Sequence, residues 1–383
     1  MKILVQKYGG TSTSTPQTRA YIYEKISKAL KEGYAVVVVL SAMGRKGDPY
    51  ATDTLLNVFS GGHKLCNNRE QDMIYSCGEV ISGCVASNEL LQLGIKSVLL
   101  NGEQAAIVTN ECYSNADIQS IDPAPIIGWL KKGYVVLVTG GQGISKTGNI
   151  TTLGRGGSDT TACALGYYLN AEEVQIYTDV DGIYTADPRV VQQALKIPRI
   201  SYDQCQKLAE FGAKVIHPKA VAYARLSGRN ILSVRSTFSD DPGTAIGDYC
   251  DNVFGITATR GHLCIQVPSD KFGSYMENLQ KSKIHPLLYL EKEGTVHCYV
   301  SQEQTGNTPS IETIDSVIDM KECDVIFAVG TGIEDRVNQC FDNDATLQNI
   351  WIISEDCVAI ACESEQYKTL INQLHDKLCI RRG

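Results

Sequence analysis

Two glycine-bearing stretches carry the residues best suited to chemistry. In the first, Lys7 is followed by Gly9 and Gly10. Paired glycines let backbone N–H groups come close to phosphate oxygens, and a lysine beside them can meet a terminal phosphate as a point charge. By itself this pattern equally describes a strand-ending turn with a solvated lysine. The second stretch, Thr151 to Ala162, reads TTLGRGGSDTTA and precedes a helix-like run. Gly156, Gly157 and Ser158 can present N–H groups at a helix start, where an anion is favoured. Arg155 can hold a carboxylate in a bidentate fork. Asp159 falls in the first helical turn and can orient Lys7 or a metal-bound water. A plain helix cap needs one hydroxyl or carboxylate, not this density of polar groups.

The elements that must position these groups follow from the apolar pattern. KILVQKYGG, YAVVVVLSAMG, IKSVLLNG, GYVVLVTGG and EVQIYTDV are short β-branched runs separated by helical patterns, one of them from Pro16 to Glu32. Continuous apolar strands alternating with helices imply an α/β architecture, a mostly parallel sheet sandwiched by helices. Ligands bind such sheets beyond the carboxyl ends of the strands, where KYGGTS, SAMG and TDVDG lie. SDDPGTAIGDYC, from Ser239 to Cys250, reads as a boundary. Beyond it the elements shorten, in the order ββαββα then βαββα, as two ferredoxin-like α+β units. Strands are expected at HLCIQV, HPLLYLE, TVHCYVS, CDVIFAVG, LQNIWII and CVAIACE. Helices are expected at FGSYMENLQKS, PSIETIDSVID, IEDRVNQCFD and EQYKTLINQLHDKL.

Composition narrows the partners. The 383 residues are 43% hydrophobic and 20% charged, with a net charge of −8, which argues against a nucleic-acid or membrane surface. The 14 cysteines show no CxxC pair and no metal-ligand spacing to histidine, so buried reduced thiols are expected. MKILVQKYGG has no signal-peptide pattern and the longest apolar run is short, so a cytoplasmic location is expected.

Six motifs stand in order along the chain: KYGGTS from Lys7, SAMG from Ser41, SCGEVIS from Ser76, TTLGRGGSD from Thr151, YTDVDGIYTADPR from Tyr177 and FGAKVIHP from Phe211. Together they resemble the signature set of the aspartate kinases, within the amino-acid kinase superfamily. The resemblance covers roughly residues 1–245. It implies an amino-acid kinase catalytic domain over 1–240, a linker over 241–252, and ACT-like domains over 253–320 and 321–383.

By that resemblance Lys7 neutralises charge on the transferring phosphoryl group, with Asp159 beside it. Gly9, Gly10 and Gly157 contact phosphates. Ser41, Thr52, Glu79, Arg155 and Ser158 hold aspartate. Thr178, Asp179, Tyr184, Arg189 and Lys214 contact the nucleotide. The chemistry agrees: Glu79 suits an α-ammonium, Arg155 a carboxylate, and Ser41 and Thr52 the remaining oxygens. Without the motif, Glu79 would read as an exposed or ion-paired helix glutamate, and Asp179 and Asp181 as turn formers. His217 reads as structural, because a carboxylate acceptor is already ionised at pH 7 and needs no base. The implied reaction carries the γ-phosphoryl group of ATP to the β-carboxylate of L-aspartate, giving 4-phospho-L-aspartate. That product leads toward lysine, threonine, methionine and diaminopimelate. Mg²⁺ is expected to arrive on ATP rather than on protein side chains.

The C-terminal match is looser. Asp270-Lys271-Phe272-Gly273 stands where D-x-P-G is usual, and Ser354 and Glu355 remain of a shortened strand-turn segment. A homodimer or higher homo-oligomer through the ACT-like domains is expected, with an amino-acid effector, lysine, threonine or diaminopimelate, or none. Rival readings are a superfamily kinase for glutamate, N-acetylglutamate, carbamate or UMP, and a non-catalytic amino-acid sensor. A dinucleotide-dependent dehydrogenase lacks its G-x-G-x-x-G after the first strand.

Overall fold

The structure, a computed structural model, describes residues 1–59, 67–213, 215–229, 231–250, 254–282, 284–305, 317–341 and 350–379. The chain divides into two compact units. The first takes Met1–Ile183, Lys196–Glu210 and Lys214–Asp251; the second takes Tyr184–Leu195, Phe211–Ala213 and Asn252–Gly383.

In the first unit the β-branched runs become β1 (Ile3–Tyr8), β2 (Ala35–Leu40) and β3 (Ser97–Leu100). Next come the short strands β4 (Ile107–Thr109) and β5 (Ile118–Ile121), then β6 (Val135–Thr139), β7 (Gln142–Ser145) and β8 (Ile150–Thr152). The last four are β9 (Glu173–Thr178), β10 (Arg199–Ser201), β11 (Leu232–Ser236) and β12 (Thr244–Gly247). Among the described residues, eight of them form one sheet in the order β10-β12-β11-β9-β1-β2-β6-β3. It is parallel except where β11 meets β12. Val36 to Leu40 of β2 and Val135 to Val138 of β6 are buried along their length, as expected for strands covered on both faces. A second sheet runs β5-β4-β7-β8.

The helices of this unit are α1 (Gly10–Thr13), α2 (Pro16–Lys31), α3 (Thr52–Phe59) and α4 (Asn68–Gln92), then α5 (Ala124–Lys131), α6 (Gly157–Tyr168), α7 (Tyr202–Glu210) and α8 (Pro218–Leu226). Helix α2 starts where its chemistry dictates. Pro16 opens it, and Thr15 and Thr18 form a reciprocal capping box. Its Ile22, Tyr23, Ile26 and Ala29 face joins Leu4, Tyr8, Val36 and Val38 in one apolar core.

In the second unit β13 (Gly255–Pro268) leads through α9 (Phe272–Lys281) to β14 (Leu288–Lys292), β15 (Thr295–Ser301) and α10 (Gln302–Thr305). Then β16 (Asp319–Val329), α11 (Ile333–Phe341), β17 (Ile350–Ser354), β18 (Cys357–Cys362) and α12 (Tyr367–Leu378) follow. The strands make a single antiparallel sheet, β14-β15-β13-β16-β18-β17.

Three expectations change. Thr244–Gly247, inside the expected linker, is β12 and pairs with both β10 and β11. The expected ββ start of the first α+β unit is one 14-residue strand, β13, bent by an irregularity between Thr259 and His262. Nor are all the cysteines buried: Cys77, Cys84, Cys112 and Cys250 are exposed, all of them free. Most of the helix expected at PSIETIDSVID lies outside the described residues. Among the described residues no helix is long and apolar enough to cross a membrane.

Candidate functional site

Lys7 sits at the end of β1, a central strand, so its side chain leaves the sheet at the carboxyl edge. The turn after it is fixed by close backbone approach. A Cβ on Gly10 would fall 2.4 Å from the Gly44 carbonyl, and the Gly44 N–H donates to the Gly10 carbonyl at 2.9 Å. The KYGG and SAMG turns are thus locked together. The second glycine loop meets them through α6. Gly156 caps that helix with φ +67°, and a Cβ there would lie 2.4 Å from the Cβ of His217. His217 has a structural task of its own: its Nδ1 accepts from the Lys219 N–H at 3.3 Å at the start of α8. Burial lowers its pKa.

These turns enclose a cavity of about 520 Å³. Lys7, Gly9, Gly10, Ser41, Thr52, Glu79, Gly157, Ser158 and Asp159 all line it. Asp159 Oδ1 stands 2.7 Å from Lys7 Nζ, both side chains 12% exposed. Ser41 Oγ donates to Ser158 Oγ at 3.0 Å. Glu79 reaches the cavity from the middle of α4. It is 2% exposed, and its Oε2 has no hydrogen-bond partner. Burial pushes its carboxyl up to about 8, against a smaller lowering by the backbone of Glu79 and Ala42. A buried carboxyl with a free oxygen, in one cavity with a lysine-bearing glycine turn, offers one group suited to a cation and one suited to an anion.

The family profile described as "Amino acid kinase family" matches residues 2–232. The chain belongs to that family. It is 46% identical over 255 residues to Aspartokinase 1 of Bacillus subtilis (strain 168), covering 67% of this chain. It spans 63% of the length of that relative. Its fold is similar to the crystal structure of E. coli aspartokinase III in complex with aspartate and ADP. There the TM-score is 0.77 at 22% identity, covering 98% of this chain and 100% of that one. The fold is also similar to the same enzyme in complex with lysine and aspartate, with TM-score 0.74, 22% identity, and 99% and 100% covered.

Not every residue expected in this family member's site lines the cavity. Arg155 is exposed in the loop before Gly156 and is not among the lining residues. Thr178 donates to Asp179 Oδ1 at 3.0 Å, and Arg45 bonds Asp179 Oδ2 at 2.5 Å. Tyr184 and Arg189 belong to the second unit. There the Arg189 guanidinium pairs with Asp187 at 2.7 Å. Lys214 lies outside the described residues. Asp270 is exposed in the turn before α9, and Ser354 and Glu355 are exposed at the turn from β17 to β18. Sequence reasoning passed over Arg45 and Tyr75, which line the cavity. Arg45 had a signal: it directly follows SAMG and so had to leave the same turn as Ser41.

Proposed function

We propose that the chain is an aspartate kinase, carrying the γ-phosphoryl group of ATP to the β-carboxylate of L-aspartate. One observation bears most weight: the buried Glu79 carboxyl, whose Oε2 has no hydrogen-bond partner, shares a cavity with the Lys7–Asp159 pair. An α-ammonium supplies the missing donor and the positive charge that Glu79 needs in order to ionise. Ser41, Thr52 and Ser158 offer hydroxyls to the acceptor's carboxylates, and Arg155 supplies a guanidinium at the loop edge. With the acceptor so held, its β-carboxylate attacks the γ-phosphorus in line, and ADP leaves. Lys7 and the N–H groups of the Gly9–Gly10 turn and of the α6 start meet the charge that spreads over the transferring oxygens. Asp159 keeps the ammonium of Lys7 aimed at them.

Mg²⁺ enters this reading as a companion of ATP. Asp159 and Asp53 line the cavity and would hold the water shell of an ion carried on the phosphates. When bound, the ion neutralises phosphate charge. Asp179 and Thr178 in the first unit, with Tyr184, Arg189 and Lys214, are the nucleotide contacts of this reading. The C-terminal unit, with its expected ACT-like halves over 253–320 and 321–383, would join two copies into a homodimer. Asp270, Ser354 and Glu355 mark where an amino-acid effector would bind. The crystallised E. coli relative binds lysine. The location that fits such an enzyme is cytoplasmic.

An assay coupled to ADP release, run with aspartate, glutamate and UMP, tests the reading. Aspartate should give the highest kcat/KM. A faster rate with glutamate or UMP, or none with any acceptor, would overturn it.

A further inference from the structure

We propose that Asp72 is a positioning residue that fastens the amino-acid-binding loop to the helix carrying Glu79. Asp72 is 1% exposed and touches none of the cavity. It lies on α4 seven residues before Glu79, two turns or roughly 10 Å along the axis, on the same buried face with Ser76 between them. Its carboxylate takes four donor groups from two other segments. The Thr152 N–H donates to Oδ2 and the Thr152 hydroxyl to Oδ1, each at 2.7 Å. The Ser114 N–H reaches both oxygens at 3.0 Å, and the Ser114 hydroxyl donates to Oδ1 at 3.2 Å. Charge-assisted bonds of this kind are roughly twice as strong as neutral ones.

The two segments held are the ones that shape the loop. Thr152 ends β8 and stands three residues before Arg155 and six before Ser158. Ser114 has φ +67°, a strained conformation for a residue with a side chain. Its carbonyl is the wall against which Gly154 turns, since a Cβ on Gly154 would come within 2.7 Å of it. A further bond, from Gln142 Nε2 to the Ser76 carbonyl at 3.3 Å, ties β7 to the same helix face. Asp72 thus sets the spacing between Glu79, which faces the ammonium, and the loop that faces the carboxylates. A misplacement of about 1 Å between two such groups can cost on the order of a hundredfold in rate.

This inference rests on the aspartate-kinase reading for its kinetics but not for its geometry, so the experiment has two arms. In the first, Asp72→Ala should raise KM for aspartate by about tenfold or more while KM for ATP moves less than about threefold. Asp72→Asn should stay within about threefold of wild type, because both hydroxyls can turn to accept from the new amide. In the second arm, amide exchange over residues 150–158 should quicken by about tenfold in Asp72→Ala, with peptides of the second unit unchanged. If Asp72→Ala does not fold, Thr152→Val replaces it and should raise KM for aspartate several-fold. Equal rises in both KM values, or exchange that quickens everywhere, would mean a general structural role and overturn the proposal. No change in either arm would overturn it as well. If the wild type phosphorylates no aspartate, the activity reading fails while the exchange arm still decides on Asp72.

Discussion

Glu79 destabilises the fold wherever its carboxyl must ionise without a cation beside it. Its folded pKa of about 8 lies above the unfolded value of about 4.3. Between those values the unfolded chain has lost a proton that the folded chain keeps, so this residue makes stability fall as pH rises through that window and level off above it. Glu79→Gln should remove that slope and stabilise the protein at pH 8 by on the order of a few kcal/mol. Thermal melts of both forms at pH 5 and pH 8 check this; parallel melting shifts would count against it. The same variant should raise KM for aspartate at least about a hundredfold, since a neutral amide cannot pair with an ammonium. In the wild type, KM for aspartate should fall as pH rises toward 8. Lys7→Ala belongs to the same scale. It should lower kcat by on the order of a hundredfold or more with circular dichroism unchanged, and a rate near wild type would remove Lys7 from the chemistry.

At the scale of elements, the glycine loops were legible and the supports beneath them were not. KYGG and GRGGSD announce themselves because close backbone approach and positive φ leave few residue types acceptable. At Gly156 a Cβ would collide with His217, the residue that caps α8. Gly156→Ala should therefore cost about 1–3 kcal/mol, read as a shift in denaturant midpoint, and should weaken substrate binding as α6 tilts away. The long apolar strands β1, β2, β6 and β9 were equally readable, because four or five consecutive buried residues leave a clear run. Strands of three or four residues such as β4, β8, β10 and β12 are too short to show a period, and β12 hides behind Asp-Pro-Gly turn chemistry. Asp72 was invisible for another reason. On a helix, an aspartate that binds a distant loop has the same sequence pattern as one that faces water.

The whole chain is not divided where composition changes. Tyr184–Leu195, which follows the TDVDG strand and holds two expected nucleotide contacts, packs within the C-terminal unit. Ala186 and Val191 join the core formed by Ile256, Ile326, Val358 and Leu374. The Thr185 carbonyl accepts from the Ile256 N–H at 2.7 Å, extending the segment alongside β13. The Thr185 hydroxyl lies 2.8 Å from His375 Nε2 and accepts from the Leu195 N–H at 2.9 Å. His375 is fully buried on α12, and burial lowers its pKa. Its folded pKa lies below the unfolded one, so the stability it supports is lost as pH falls through about 6.5 and the unfolded ring gains a proton first. A C-terminal helix thus sets the shape of the segment that carries Tyr184 and Arg189. Thr185→Val keeps the volume but leaves the Leu195 N–H and the His375 ring without this partner. It should cost about 1–3 kcal/mol in a denaturant titration. If Tyr184 and Arg189 hold the nucleotide, the same variant should raise KM for ATP several-fold while KM for aspartate stays within about twofold, since none of the proposed aspartate contacts lies in that segment. A change confined to aspartate would show that the segment serves the acceptor instead.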